Sequence, residues 1–309
     1  MKPSVKTLTA LPTLVTLGNT FCGFLAMTYV LEATSSIGWF QTEAWIERLA
    51  ALQESLRALP ADSSAQQGSL TAEINGLLQD REDARTAFYS YMVKGVWAMF
   101  IAMVFDFMDG KVARMTKSES AFGVQIDSLS DVLSFGLFPA LAFKALYEFE
   151  FGATGKISLI LGSFYLIGAV LRLARFNVEA EHEDDDHRAF RGLPSPAAAA
   201  SVAAMVYLYC SREWAEYDGF IRILLPWMTA AAGILMWTKL PYIHFVNVAL
   251  TERRNFAHLF LVLVAIGVVF YEPPVGIAVI VVGYLVSGPL VYVWDLFRGR
   301  TTVDGESLI

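Results

Sequence analysis

Apolar residues run through this chain in long blocks separated by short polar joints. A helix needs about 20 mostly apolar residues to cross the hydrocarbon core of a bilayer. Eight blocks approach that length: Leu14 to Leu31, Tyr89 to Met108, Phe122 to Leu146, Ile157 to Phe176, Pro196 to Cys210, Ile221 to Thr238, Leu259 to Tyr271 and Val275 to Leu296. The fifth and seventh are short, and Pro273 and Pro274 follow the seventh, so eight spans are expected with six as the smaller alternative. No segment alternates long enough for the strands of a barrel. The expected fold is therefore all-α, a polytopic membrane helical bundle.

The polar segments divide the chain. Residues 1–13 mix Lys, Thr and Pro with apolar positions, a pattern that suits an interfacial helix ahead of the first span, so 1–32 reads as one unit. Residues 33–88 carry two amphipathic patterns, about 42–58 and 70–86, around the polar stretch Pro60 to Gly68. They predict an extramembrane helical insertion with a structural or partner-binding role. A core over 89–211 and C-terminal membrane helices over 212–309 complete the division. The acidic run Glu181 to His187, within the polar island Glu179 to Arg191, reads as a solvated loop.

Composition agrees with the pattern: 55% of residues are hydrophobic and 17% charged, against roughly 45–50% and about 25% in soluble domains. The net charge of −7 matters less than its distribution. With the N-terminus in the cytoplasm, that side collects Lys2, Lys6, Lys111, Arg114, Arg172, Arg175 and Arg191 among others, while the short opposite loops hold Lys156, Arg212 and Arg222. The positive-inside rule favours this orientation. It places the chain in the cell (inner) membrane, and nucleic acid is not an expected partner. The first apolar block has no small-residue cleavage site followed by a soluble chain, so it reads as a retained helix. Cys22 and Cys210 lie in apolar segments and read as small buried hydrophobes.

Against this background four carboxylates stand out: Asp106, Asp109, Asp127 and Asp131, all at the ends of membrane helices. An acid in such a segment is costly and is a functional-site hypothesis by default. Asp106 and Asp109 are three apart, Asp127 and Asp131 four apart, so each pair shares a helical face. The short connection makes the two helices antiparallel neighbours and lets the four acids converge. Their repulsion calls for cations, and an all-oxygen set favours Mg2+ or Mn2+, two ions balancing four carboxylates in formal charge. Such a pair can clamp a diphosphate during an in-line displacement. Gly110 would let backbone approach a ligand, Ala113 keeps that face small, Arg114 offers a planar fork to phosphate oxygens, and Gly123 lets the second helix pack close.

The complete spacing, D-x2-D-G-x2-A-R-x8-G-x3-D-x3-D, resembles that of the CDP-alcohol phosphotransferase family, and every position is matched from Asp106 to Asp131. The resemblance implies a helical membrane fold, usually a homodimer, with Asp106, Asp109, Asp127 and Asp131 as ligands of two metal ions and Asp131 also as general base. It implies contacts from Gly110, Ala113 and Arg114 to the CDP moiety of CDP-diacylglycerol, and from Ser120 to the diphosphate.

Three further stretches resemble the membrane-bound phosphatidylserine synthases of bacteria and archaea: Leu11 to Asn19 with Phe21 to Phe24, Arg172 to Asn177, and Gly192 to Ala198. They imply L-serine as acceptor. Arg172 and Arg175, one turn apart, with Arg191, are candidates to bind the serine carboxylate or lipid phosphate, or to act as positive-inside anchors. Thr13 departs from the Asn common in the opening motif, and 33–88 is an insertion relative to the usual short loop. Glycerol 3-phosphate, inositol phosphate and choline are the alternative acceptors within the same fold. An intramembrane prenyltransferase leaves the Asp-Gly-x-x-Ala-Arg element unexplained, and a cation transporter predicts acids spread over several spans.

Overall fold

The computed structural model describes residues 5–60, 62–116, 121–151, 155–182, 192–240, 242 and 267–297. Among these no strand occurs, and the chain is a bundle of helices: α1 (Val5–Gly38), α2 (Glu43–Ala58), α3 (Ser64–Thr116), α4 (Ala121–Asp131), α5 (Phe138–Phe151), α6 (Gly155–His182), α7 (Ser195–Cys210), α8 (Asp218–Trp237) and α9 (Pro273–Phe297). Six helical stretches among the described residues are long and apolar enough to cross a membrane. The expected fifth span is α7, of 16 residues, short for a crossing but buried along most of its length by Ala, Ser and Val. Small residues on all its faces let neighbouring helices close around it. The expected seventh span lies mostly outside the described residues, which reach it only over 267–271.

Two expected breaks are absent. Residues 5–13 and the first span form one helix, and Thr16 donates to the Pro12 carbonyl within it at 3.1 Å. The second amphipathic pattern starts at Ser64, passes through Gly68 and Gly76, and continues without interruption into the next span. No Pro stands between Ser64 and Asp106 to end it, and the helix runs on through the turn-prone pair Asn75-Gly76. At about 1.5 Å per residue, the 53 residues of α3 make a rod of about 80 Å. Its first turns pack on α2 through Arg48–Glu73 at 3.1 Å and through Arg81 over the Trp45 ring.

Where the rod leaves the arm, Arg85 donates from Nε and Nη2 to both oxygens of Glu150 at 3.0 and 2.8 Å. Tyr89 and Tyr209 donate to the same carboxylate, the latter at 2.8 Å. Arg212 lies over both Tyr rings and pairs with Asp218 at 2.8 Å. Glu150 is thus buried but fully bonded, and it ties α3, α5 and α7 together at one end of the bundle. At the other end, Asp106 lies about 25 Å further along α3 than Tyr89.

Between these ends α6 and α8 cross at two glycines. A Cβ on Gly168 would stand 2.6 Å from the Gly233 carbonyl oxygen, so their backbones touch where any side chain would separate them.

Candidate functional site

α3 carries Asp106 and Asp109 on its last turns, and α4 carries Asp127 and Asp131. One carboxylate oxygen from each of Asp106, Asp109 and Asp127 lies within 4.8 Å of the other two. Asp131 stands outside this trio but abuts Asp106, and Asp109 abuts Asp127, so the acids meet in pairs across the two helices. Asp109 and Asp131 are buried. Asp109 Oδ2 and Asp127 Oδ1 are buried with no hydrogen-bond partner in the protein. An unpaired buried acceptor costs free energy. Oxygen-only donors converging at this distance fit a hard divalent cation.

α1 closes the site from a third side. Its positions 16, 19, 20 and 23 share one face of an otherwise apolar helix. Thr16 and Asn19 are buried, and Thr16 reaches Asp109. The Asn19 amide donates to Asp131 Oδ1 at 3.2 Å, and Thr20 shares a 2.5 Å hydrogen bond with Ser130. Ser134 donates to the Asn19 side-chain oxygen at 2.7 Å. These partners belong to the site; in the sequence Thr16 and Asn19 fall in the opening stretch with the family resemblance, but nothing local assigns them to the acids.

Directly after Asp131 the helix widens into a π-helical segment, Val132–Leu137, where the Phe138 amide bonds the Leu133 carbonyl five residues back. Insertions of this kind shift the phase of a helix and recur at functional sites. The fully buried Tyr165 of α6 donates its hydroxyl to the Phe135 carbonyl inside the segment at 2.8 Å.

α6 supplies the cations. Arg172 donates to the buried Ser195 hydroxyl at 2.6 Å, and its charge is felt at Asp131 and Asp106. Arg175, one turn on, donates instead to the Trp237 carbonyl at the end of α8, at 2.9 Å. Both flank the turn at Gly192, whose φ of +93° and 2.5 Å clearance between a Cβ and the Thr238 carbonyl suit glycine alone. The Gly192 amide bonds the Leu240 carbonyl at 2.9 Å, and Pro194 then caps α7. Ser128 of α4 donates to the Asn177 side chain at 3.0 Å, joining α4 to α6 below the acids.

Gly110 lies on α3 next to Asp109, and Gly123 on the first turn of α4. Ala113 and Arg114 continue α3, their side chains outside the described set. Ser120 and Arg191 lie outside the described residues, as does the acidic run Glu181 to His187 beyond its first two residues, Glu181 and His182, which end α6.

The pattern of the CDP-alcohol phosphatidyltransferase family matches residues 85–245, just over half of the 309 residues. The chain belongs to this family. The matched stretch opens at Arg85 and takes in all four acids, Arg172 and the Gly192 turn. Among similar proteins is the CDP-diacylglycerol–serine O-phosphatidyltransferase of Helicobacter pylori strain J99, 30% identical over 206 residues, which are 67% of this chain and 82% of that one. The protein of the same name from Mycobacterium leprae is 32% identical over 199 residues, 61% of this chain and 62% of its own. The archaetidylserine synthase of Methanothermobacter thermautotrophicus is 38% identical over 148 residues, 47% and 55% of the two chains. Family membership makes the chain an enzyme of CDP-alcohol chemistry embedded among membrane helices.

Proposed function

We propose that this enzyme transfers the phosphatidyl group of CDP-diacylglycerol to the hydroxyl of L-serine, releasing CMP and phosphatidylserine. The observation that carries the reading is the meeting of Asp106, Asp109 and Asp127 within 4.8 Å, in a chain of this family, beside the half-buried Arg172. The names of the similar proteins favour serine as acceptor.

Asp106, Asp109, Asp127 and Asp131 would hold the divalent ions, Mg2+ or Mn2+. When bound, these neutralise the diphosphate and stabilise charge on the departing nucleotide. The protein's own groups do the rest. Gly110, Ala113 and Arg114 line the cytidine side, with Ser120 and Gly123 toward the diphosphate. Arg172, held by Ser195 and close to Asp131, binds the serine carboxylate, and Arg175 and Arg191 complete the anionic side of the acceptor. Asp131 takes the hydroxyl proton as the serine oxygen bonds to the lipid-linked phosphorus. The bond from that phosphorus to the bridging oxygen breaks, and CMP leaves with the electron pair. The Lys and Arg residues gathered at the aspartate end favour a cytoplasmic site served by the inner leaflet, and the family resemblance favours a homodimer.

The deciding experiment supplies purified enzyme with CDP-diacylglycerol, Mg2+ or Mn2+, and serine, glycerol 3-phosphate, inositol phosphate or choline, and identifies lipid products by mass. Phosphatidylserine with stoichiometric CMP is expected. Product from another alcohol, with none from serine, overturns the acceptor assignment.

A further inference from the structure

Four polar or small residues of α1 face the catalytic helices, yet none of them is a carboxylate or a cation. Thr16, Asn19, Thr20 and Gly23 recur at intervals of three, one and three, which places them on a single stripe of the helix. Asn19 is fully buried. Burying a primary amide among apolar helices is costly unless both its ends are bonded. Here both are. Ser134 donates to its oxygen at 2.7 Å, which leaves the nitrogen end to donate to Asp131 Oδ1 at 3.2 Å. The hydroxyl therefore fixes which way the amide points, and the amide fixes one oxygen of Asp131.

The two partners of Asn19 lie on either side of a change in helix type. Asp131 ends the α-helical part and Ser134 sits inside the π-helical segment that follows. Their relative placement is thus not set by a regular helix, and a bridge from outside can define it. Gly23, one turn further along α1, allows that bridge: a Cβ there would stand 2.2 Å from Ser134 Oγ. Thr20, the residue after Asn19 on α1, makes a neighbouring contact with Ser130, the residue before Asp131, at 2.5 Å.

We infer that Asn19 is a positioning residue, a clamp across the α-to-π junction that holds the Asp131 carboxylate in its reactive orientation, with Ser134 locking the amide. The inference rests on the reading of Asp131 as the proton acceptor. Asn19 acts through the Asp131 carboxylate, so its loss acts on turnover and leaves substrate binding intact. Outer hydrogen bonds of this kind typically change activity about 10- to 100-fold when removed.

The test compares Asn19→Ala, Ser134→Ala and Asp131→Asn as purified enzymes, with kcat and KM measured for CDP-diacylglycerol and serine. Asn19→Ala is expected to lower kcat about 10- to 100-fold with both KM values within about threefold, and Ser134→Ala to lower it by less in the same pattern. A general loss of folding would lower the active fraction, which the stoichiometry of CDP-diacylglycerol binding at equilibrium reads separately. If Asn19→Ala does not yield folded protein, Ser134→Ala decides, because it removes only the lock. Unchanged kcat in the folded variants, or a rise in KM at constant kcat, overturns the clamp while an inactive Asp131→Asn leaves the base assignment standing. Near wild-type turnover of Asp131→Asn overturns the base assignment, and the clamp with it.

Discussion

Replacing Gly168 with Ala tests how the bundle holds its arginine. The added Cβ would lie 2.6 Å from the Gly233 carbonyl oxygen and 3.0 Å from its Cα. Both obstacles are backbone, so no rotamer change relieves them. An ordinary carbon–oxygen contact begins near about 3.3 Å, so α6 and α8 must part by roughly 0.7 Å. The crossing is as close when viewed from α8, where a Cβ on Gly233 would come within 3.2 Å of the Phe164 ring and the Tyr165 Cα of α6. Overpacking of this kind costs about 1–3 kcal/mol. The functional effect is expected to be larger than that figure implies, since Gly168 lies one turn from both Tyr165 and Arg172. Tyr165 pins the π-helical segment and Arg172 faces the acids. A displacement near 1 Å at a reacting group costs about 10²-fold in rate, so a fall in kcat between about tenfold and 10²-fold is expected with a lower unfolding midpoint in detergent. Gly76→Ala is the control: no atom lies within 4 Å of its added Cβ, and a helix-interior Gly to Ala change there should stabilise by about 0.5–1 kcal/mol at unchanged kcat. Wild-type midpoint and turnover in Gly168→Ala would refute the claim that the backbone crossing positions the site.

Three other outcomes are expected. Asp109→Asn should abolish the rise in unfolding midpoint that Mn2+ gives the parent enzyme, where saturation to 100 times Kd is worth about 2.7 kcal/mol, and should lower CMP release in parallel; retained Mn2+ stabilisation would exclude Asp109 as a ligand. Arg85→Met removes two hydrogen bonds from buried Glu150 and should destabilise the enzyme by about 2 kcal/mol in a detergent melt, with kcat of the folded fraction unchanged because the clamp stands far from the acids. Tyr165→Phe strips the donor from the buried Phe135 carbonyl and should cost about 1–3 kcal/mol, while a neutral result would mean that the π-helical segment needs no outside partner.

Much of the site was legible because its chemistry is costly in a membrane. Acids at positions 106, 109, 127 and 131 contradict their apolar surroundings, and their spacing alone placed them on facing helical surfaces. The membrane helices were legible from length, since few other structures accommodate apolar runs of that size. Other features depend on tertiary partners and leave no local mark. The π-helical segment has no sequence signature over Val132–Leu137, and its stability comes from Tyr165 and Asn19 on two other helices. Glu150 and Arg85 lie 65 residues apart and look like unrelated surface charges until packing joins them. Arg172 and Arg175 read alike by spacing, yet one bonds the Ser195 hydroxyl and the other the Trp237 carbonyl at the end of α8. The continuity of α3 was hidden by a change of polarity that looks like a boundary, although nothing in the residues breaks the backbone.

That continuity makes helical phase a shared property of the two ends of α3. Every residue added or removed between Tyr89 and Asp106 turns the far carboxylates by about 100° and shifts them by about 1.5 Å relative to the Glu150 anchor. A single deletion there would swing Asp106 and Asp109 away from Asp127 and Asp131 without altering one catalytic side chain. Upstream of Arg85 the same change would rotate only the part of α3 that packs on α2. The number of residues in that stretch is therefore constrained independently of their identity, and length variation among relatives should fall outside it.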